Sequence, residues 1–459
     1  MTLGKSRDRA GHASPSKEKE NAMKKTMLGV AAFAAASALI LAGCSSSDEK
    51  TPSASPSATG PVQGEDITLW LMGAPDTPAD LVTYLQDEYK KEYNATLTVE
   101  AVAWGDALAK LTTALPDAAN TPDVVEIGNT WAPTFTAVGA FSDVSDMYDE
   151  LGGTDLLQSF VDVGSVDGKE YALPYYFGSR NVWYRKDIYA AAGVEVPKTL
   201  ADFTTINATM KDKGVGGAYV GGQDWRNAIS WIFAYGGDLA AKDGDTWKST
   251  FSDAKSIEGL TAWQTLFKTA SVAKSNDTDA NNYFIINDAQ LPGTPASSSM
   301  APTWASCCIG DPVKKDDGTD GTAWNDATDG AYALPGVDGG IAPVFAGGSN
   351  IGISAASTHQ DSARGLLRII FSDDYQNMLG KNGLGPAKAS AKDSFVTDDF
   401  RQIAWDTAVG SKLTPAAPGW AAVEGSGLLE EFFQKVAEGG DVTALAKEYD
   451  GKIGALLNG

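Results

Sequence analysis

Several short segments set aromatic rings beside hydrogen-bonding side chains. Trp104-Gly105-Asp106 and Gly128-Asn129-Thr130-Trp131 each follow an apolar, strand-like run. Gln223-Asp224-Trp225-Arg226 groups an amide, a carboxylate, an indole and a guanidinium in four residues, and Asp238 follows the Gly236-Gly237 pair. Gly348-Ser349-Asn350 adds small residues that let a backbone approach a ligand closely. Ring faces beside amides, hydroxyls and charges suit the non-covalent capture of a small polar molecule. Most tryptophans pack in cores, so each of the twelve starts as a core candidate. Trp131 departs from that expectation, because its neighbours Asn129 and Thr130 are polar and it ends a strand.

Other chemistries are poorly supplied. The chain has two histidines, His12 and His359, so a multi-histidine metal site is excluded and a triad would have to use His359. Ser357-Thr358-His359-Gln360-Asp361 reads instead as a polar helix start with a surface histidine. No Gly-x-Ser-x-Gly nucleophile turn occurs. A glycosidase needs two placed carboxylates, and with 59 acidic residues their mere presence decides nothing. Asp316-Asp317-Gly318-Thr319-Asp320-Gly321 invites a calcium reading, but Gly318 and Ala327 stand where an EF-hand loop needs ligands, so it reads as a solvated acidic loop. Cys307 and Cys308 are adjacent, which leaves open a vicinal disulfide as a hard loop feature or a redox centre, although no Cys-x-x-Cys spacing is present. No metal or cofactor is expected.

The amino terminus addresses the chain outward. Lys24 and Lys25 precede an apolar run from Met27 to Leu41, followed by Ala42-Gly43-Cys44. The run is too short for a spanning helix and has the layout of a secretory signal. Residues 1–43 therefore read as a signal peptide with an upstream extension. Leu41-Ala42-Gly43-Cys44 resembles the lipobox of bacterial lipoproteins, which implies a lipid on Cys44 and anchoring at the outer face of the cytoplasmic membrane. Residues 44–64 are rich in Ser, Pro, Thr and Gly and read as a flexible tether. From Cys44 onward there are 29 basic and 56 acidic side chains, a formal charge of −27. Nucleic acid and anionic membrane surface would both be repelled.

Apolar periodicity supplies the elements that position the polar loops. Ile67–Leu71, Leu97–Val102 and Asp123–Ile127 read as strands, separated by helices over Ala79–Tyr93 and Asp106–Leu115. This order predicts an α/β lobe with a largely parallel sheet, whose ligands bind beyond the carboxyl ends of the strands. Further helices are expected over 228–234, 253–270, 361–379, 427–438 and 442–457, and a strand over 350–353. The roughly 395 residues after the tether exceed the ~250–300 that one core serves, so two lobes are expected.

A set of ordered segments is similar to the family 1 extracellular solute-binding proteins of ABC sugar importers. They are Thr121–Trp131, Asp167-Gly168-Lys169-Glu170-Tyr171-Ala172-Leu173-Pro174, Tyr184-Arg185-Lys186-Asp187, Pro197-Lys198-Thr199-Leu200, Val344–Ile353, Ser372-Asp373-Asp374-Tyr375-Gln376 and Gly383-Leu384-Gly385-Pro386. The resemblance covers nearly all of the chain after the tether. It implies a type II, two-lobe α/β clamp with three hinge crossings, near Tyr175–Phe177, Val344–Gly347 and Leu384–Pro386. Lobe 1 would hold residues 65–175 and 348–384, and lobe 2 residues 176–347 and 385–459. The implied function is capture of a carbohydrate, expected to be an oligosaccharide, by a monomer that delivers it to an ABC transporter permease without turnover.

The same resemblance implies cleft positions. Trp304, after Met300-Ala301-Pro302-Thr303, and Trp420, after Pro418-Gly419, match segments that carry stacking rings, and Glu424 lies one turn beyond Trp420. Some relatives place a glutamate four residues after the first-hinge proline. Gly178 stands there in this chain, so Tyr176 or Arg180 is expected to make that contact. The competing readings are a secreted glycosidase or lyase, and the same clamp holding a polyol, a peptide or an amino-sugar derivative.

Overall fold

Burial along each strand sets the layering. The computed structural model describes residues 63–73, 77–278, 285–286, 295–314 and 318–459. The apolar run, Cys44 and the tether as far as residue 62 lie outside the described residues, as do Asp316 and Asp317. Ten strands build the two main sheets: β1 (Ile67–Met72), β2 (Leu97–Val102), β3 (Val124–Gly128), β4 (Ala172–Gly178), β5 (Arg180–Arg185), β6 (Ala218–Tyr219), β7 (Ser298–Pro302), β8 (Asp329–Tyr332), β9 (Gly347–Ile353) and β10 (Gly385–Pro386). The helices used below are α1 (Ala79–Tyr93), α2 (Trp104–Ala114), α3 (Ala132–Ala137), α4 (Trp225–Ala234), α5 (Gln360–Ile370), α6 (Asp373–Lys381), α7 (Asp399–Val409) and α8 (Trp420–Gly425).

The first sheet has the order β10-β4-β9-β3-β1-β2. Along β1, Ile67, Leu69 and Leu71 face one apolar cluster with Leu81, Leu85 and Leu366, while Trp70 and Met72 face another with Ala107 and Leu111. Helices cover both faces, so β1 and β3 are largely apolar rather than alternating. The second sheet has the order β8-β5-β7-β6. Its core is heavier in aromatics and includes Trp225, Trp231, Trp263 and Trp420.

Two expectations need correction. The first sheet is mixed: β1 pairs parallel with β2 and β3, but β9 runs antiparallel between β3 and β4, and β10 is antiparallel to β4. The run over 361–379 is two helices, because the Ser372 hydroxyl caps the second by accepting from Tyr375 N. The remaining predicted elements are present within a few residues of their expected ends. Among the described residues no helix is long and apolar enough to cross a membrane.

The chain passes between the sheets three times, from β4 through Ser179 to β5, from β8 to β9, and from β10 to α7, which packs against β5. Phe160, Phe177, Ala346, Phe395, Ala404 and Trp405 form an apolar cluster around these passages. The second passage enters β9 through Gly348, whose φ is +141°. A Cβ there would stand 2.4 Å from the Tyr176 carbonyl oxygen and 2.9 Å from Phe177 Cα. Backbone strain and backbone contact thus both demand glycine. Replacing Gly348 by Ala is expected to cost on the order of 1–3 kcal/mol, read as a lower urea midpoint at unchanged slope; an unchanged midpoint would show that β9 moves aside freely.

Candidate functional site

A cavity of about 1290 Å³ opens between the ends of the two sheets. It exceeds the ~300–1,000 Å³ usual for drug-sized ligands, which favours an elongated ligand. On the first side lie the ends of β1 and β3, the start of α2 and the hinge glycines; on the second lie Arg180 of β5, Thr303 and Trp304 after β7, Trp324 before β8 and Glu424 of α8.

On the first wall, α2 begins with Trp104 and α3 follows Trp131, so both indoles stand at strand ends. Their rings meet edge to face at 5.9 Å. Trp104 leans over Gly73, where a Cβ would lie 2.8 Å from the indole Nε1, so this ring needs a bare backbone beneath it. Trp104 is 38% exposed, and Trp304 on the opposite wall is 48% exposed. Exposed indole faces on both walls are costly to leave in water and suit an apolar ligand face.

The polar groups are held by the scaffold. Asn129 donates from Nδ2 to the Ala346 carbonyl at 3.0 Å. Arg180 is buried, donates from Nε to Asn227 Oδ1 at 2.8 Å, and lies over the Phe345 ring. Asn227 in turn donates to Asp224 and to the Met300 carbonyl. Arg226 pairs with Glu424 Oε1 at 2.5 Å and covers the Trp225 ring. Two atoms on the wall residues, Trp131 Nε1 and Glu424 Oε2, are buried with no hydrogen-bond partner among the described residues. Such atoms cost ~1–3 kcal/mol each unless a ligand or water serves them.

Nine of the sixteen candidates named from the sequence therefore come together on the cavity: Trp104, Asn129, Thr130, Trp131, Tyr176, Arg180, Trp304, Gly348 and Glu424. The other seven do not line it. Asp106 is exposed on the first turn of α2. Asp224 is spent as the cap of α4, accepting from Asn227 N. Trp225 is 1% exposed, with its indole N–H given to Glu430. Asp238 holds its own next amide and Lys412. Ser349 donates to Glu126, and Asn350 donates to the Phe160 and Ala172 carbonyls, so both support the wall from behind. Trp420 is fully buried in the second core, while Glu424, one turn further along α8, reaches the cavity. His359 is half-buried rather than a free surface group, with Nδ1 3.0 Å from Asp123 Oδ1. Cys308 lines the cavity and is disulfide-bonded.

Glu126, Tyr175, Trp324, Phe345 and Arg401 also line the cavity, although none stands out as a ligand contact in the sequence. For Glu126 a signal existed, since a carboxylate inside Val124-Val125-Glu126-Ile127 is out of place in a buried strand. It is 1% exposed, and burial pushes its carboxyl up to about 7, against the pull of hydrogen bonds from Ser349, Met72 N and Tyr176. A second depression of about 620 Å³ lies at the β2 edge, but its Trp70 ring is covered by Lys110 at 4.0 Å and offers no free face.

The chain matches the family model described as bacterial extracellular solute-binding protein over residues 74–377. It is 31% identical over 403 residues to the diacetylchitobiose binding protein DasA of Streptomyces coelicolor, covering 86% of this chain and 90% of that one. The GacH receptor of Streptomyces glaucescens superposes with a TM-score of 0.70 at 20% identity, over 86% of this chain and 98% of that one. The sugar-binding protein MalE of Xanthomonas citri also gives 0.70, at 21% identity over 85% and 97%. These two likenesses are of fold.

The raised carboxyl of Glu126 carries a stability signature. The folded chain holds this proton to about pH 7, whereas an unfolded glutamate releases it near 4.5, so folding stability contributed by the neutral acid is full at low pH and falls as pH rises across that window. Relative to Glu126→Gln, the wild type should lose stability between those values by at most about 1.4 kcal/mol per pH unit, with a constant gap above. Urea unfolding of both proteins across the window checks it; parallel curves would contradict it.

Proposed function

The chain belongs to the bacterial extracellular solute-binding protein family, and on that footing we propose that it captures an oligosaccharide in the cleft between its two sheets. The observation that carries this reading is the joint offer of Trp104 and Trp304 faces on opposite walls with Trp131 Nε1 and Glu424 Oε2 awaiting partners. A sugar has flat C–H faces for the rings, acceptor oxygens for an indole N–H, and hydroxyl donors for a carboxylate. The cavity's size fits more than one ring. The DasA relative is named for diacetylchitobiose, which puts acetylated sugars among the candidates.

Three passages of chain at the cleft floor, one entered through Gly347-Gly348, support closure of the walls on ligand. The liganded form then docks on a membrane permease of an ABC transporter, and the ligand leaves chemically unchanged. Cys44 carries the lipid, residues 44–64 are the tether, and the chain acts as a monomer on the outer face of the cytoplasmic membrane. Cys44→Ala is expected to release the protein into the medium; retention of the variant in the membrane fraction would overturn the anchor.

The ligand class is tested by thermal unfolding of residues 62–459 against maltooligosaccharides, diacetylchitobiose, monosaccharides, polyols and peptides. A sugar at 100 times its dissociation constant should add ~2.7 kcal/mol of stability and be recovered intact. A response to peptide or polyol alone would overturn the carbohydrate reading, and hydrolysed sugar would favour an enzyme.

A further inference from the structure

Two short helices meet across the cleft, one rooted in each core. α3 belongs to the first side, where Ala132 and Phe135 pack with Trp70, Met72 and Ile127. α8 belongs to the second, where Trp420 and Val423 are fully buried. Its start is pinned as well: Gly419 N donates to the Leu457 carbonyl at 2.9 Å, and a Cβ on Gly419 would stand 1.7 Å from the Leu456 carbonyl oxygen. The two helices approach each other, and Ala421 N donates to the Thr134 hydroxyl oxygen at 3.2 Å. This amide lies in the first turn of α8, where no carbonyl of the helix can take it, so a side chain from the other wall fills that role. Neither helix belongs to the three passages, and the bond therefore joins the walls independently of the hinge.

The bond sits one helical turn from each of the two residues whose atoms await a partner. Trp131 directly precedes α3, and Thr134 N donates to its carbonyl at 3.0 Å. Glu424 stands three residues after Ala421 on α8. Residues three apart on a helix are neighbours on one face, so Thr134 stands beside Trp131 and Ala421 beside Glu424. Arg226 takes Glu424 Oε1, while Oε2 stays buried without a partner among the described residues. The separation of Trp131 Nε1 from Glu424 Oε2 is thus set by how closely α3 and α8 approach. Because each helix is embedded in its own core, the walls cannot part without breaking the bond to Thr134.

We propose that Thr134 is a positioning residue of the cleft, whose bond to Ala421 latches the walls around bound solute and sets the spacing at which Trp131 and Glu424 hold it. This rests on the solute-binding reading above. The bond exists only while α3 and α8 touch, so it stabilises the closed arrangement and contributes nothing to a parted one. Its loss shifts the balance toward parted walls, from which solute escapes. Solute enters while the walls are parted, so association is little affected and the change falls on dissociation.

Stopped-flow tryptophan fluorescence of the mature chain with diacetylchitobiose and with maltotetraose separates the two rates. Thr134→Val keeps the side chain's shape and removes the accepting oxygen. It should release whichever sugar binds about fivefold faster, with an association rate within about twofold of the wild type. Thr134→Ser retains the oxygen and should bring release back to within about twofold of the wild type. A threonine that serves only the packing of α3 would give a Val variant with wild-type release, or a Ser variant as fast as the Val one, and either result overturns the latch. A loss confined to the association rate does so too. Should the Val variant fail to fold, Thr134→Ala carries the same expectation and the same contrary results. Wild-type binding with release unaltered in the variants sinks the latch alone, whereas silence of both sugars towards the wild type sinks it together with the carbohydrate reading.

Discussion

The return of the chain through Gly347-Gly348 into the middle of the first sheet is the contact on which the cleft depends. β9 enters between β3 and β4 and pairs with both, bringing a segment from far along the chain to the hinge. Only a glycine fits at 348, against the Tyr176 carbonyl. The next two residues fasten the strand, Ser349 to the Glu126 carboxyl and Asn350 to the Phe160 and Ala172 carbonyls. Asn129 N donates to the Gly348 carbonyl and its side chain to Ala346. The loop that bears Trp131 is thereby fixed to the hinge, and a movement at one is felt at the other.

The cleft combines two costs that folding normally removes. Indole faces stay partly in water at Trp104 and Trp304, and hydrogen-bonding atoms stay unserved at Trp131 and Glu424. Neither cost is large against a whole domain's stability, but both are recovered when a ligand with flat apolar faces and a hydroxyl rim arrives. The groups that hold Arg180 are paired by contrast. Arg180, Asn227, Asp224 and the Met300 carbonyl form a chain of hydrogen bonds that spends its polarity within the protein. Such a layer holds the ligand-facing groups in place while contributing little direct contact.

Local pattern makes much of this legible. β1, β2, β3 and the helices between them are readable because apolar spacing and strand length are local properties. The mixed sheet is not, since β9 reaches its partners from far along the chain and nothing near Gly348 encodes its direction. The same limit applies to the site. Trp104 and Trp131 can be singled out at the ends of strands, where polar neighbours mark a surface, and Trp304 through the family resemblance of its segment. Trp225 and Trp420 begin helices beside equally polar or glycine-rich residues, but the helix face decides burial, and both turn into the second core. Glu126 is missed for the opposite reason: its strand looks like pure core, and although a carboxylate is out of place in that run, nothing local says that a cavity lies beside it.

The most direct measurement is a crystal structure of the mature chain grown with the oligosaccharide that most raises its melting temperature. Sugar rings should lie against Trp104 and Trp304, with sugar oxygens about 3 Å from Trp131 Nε1 and Glu424 Oε2. Sugar bound instead at the β2-edge depression beside Trp70 and Lys110, or a cleft occupied with those two atoms still unserved, would contradict capture by the paired indole walls.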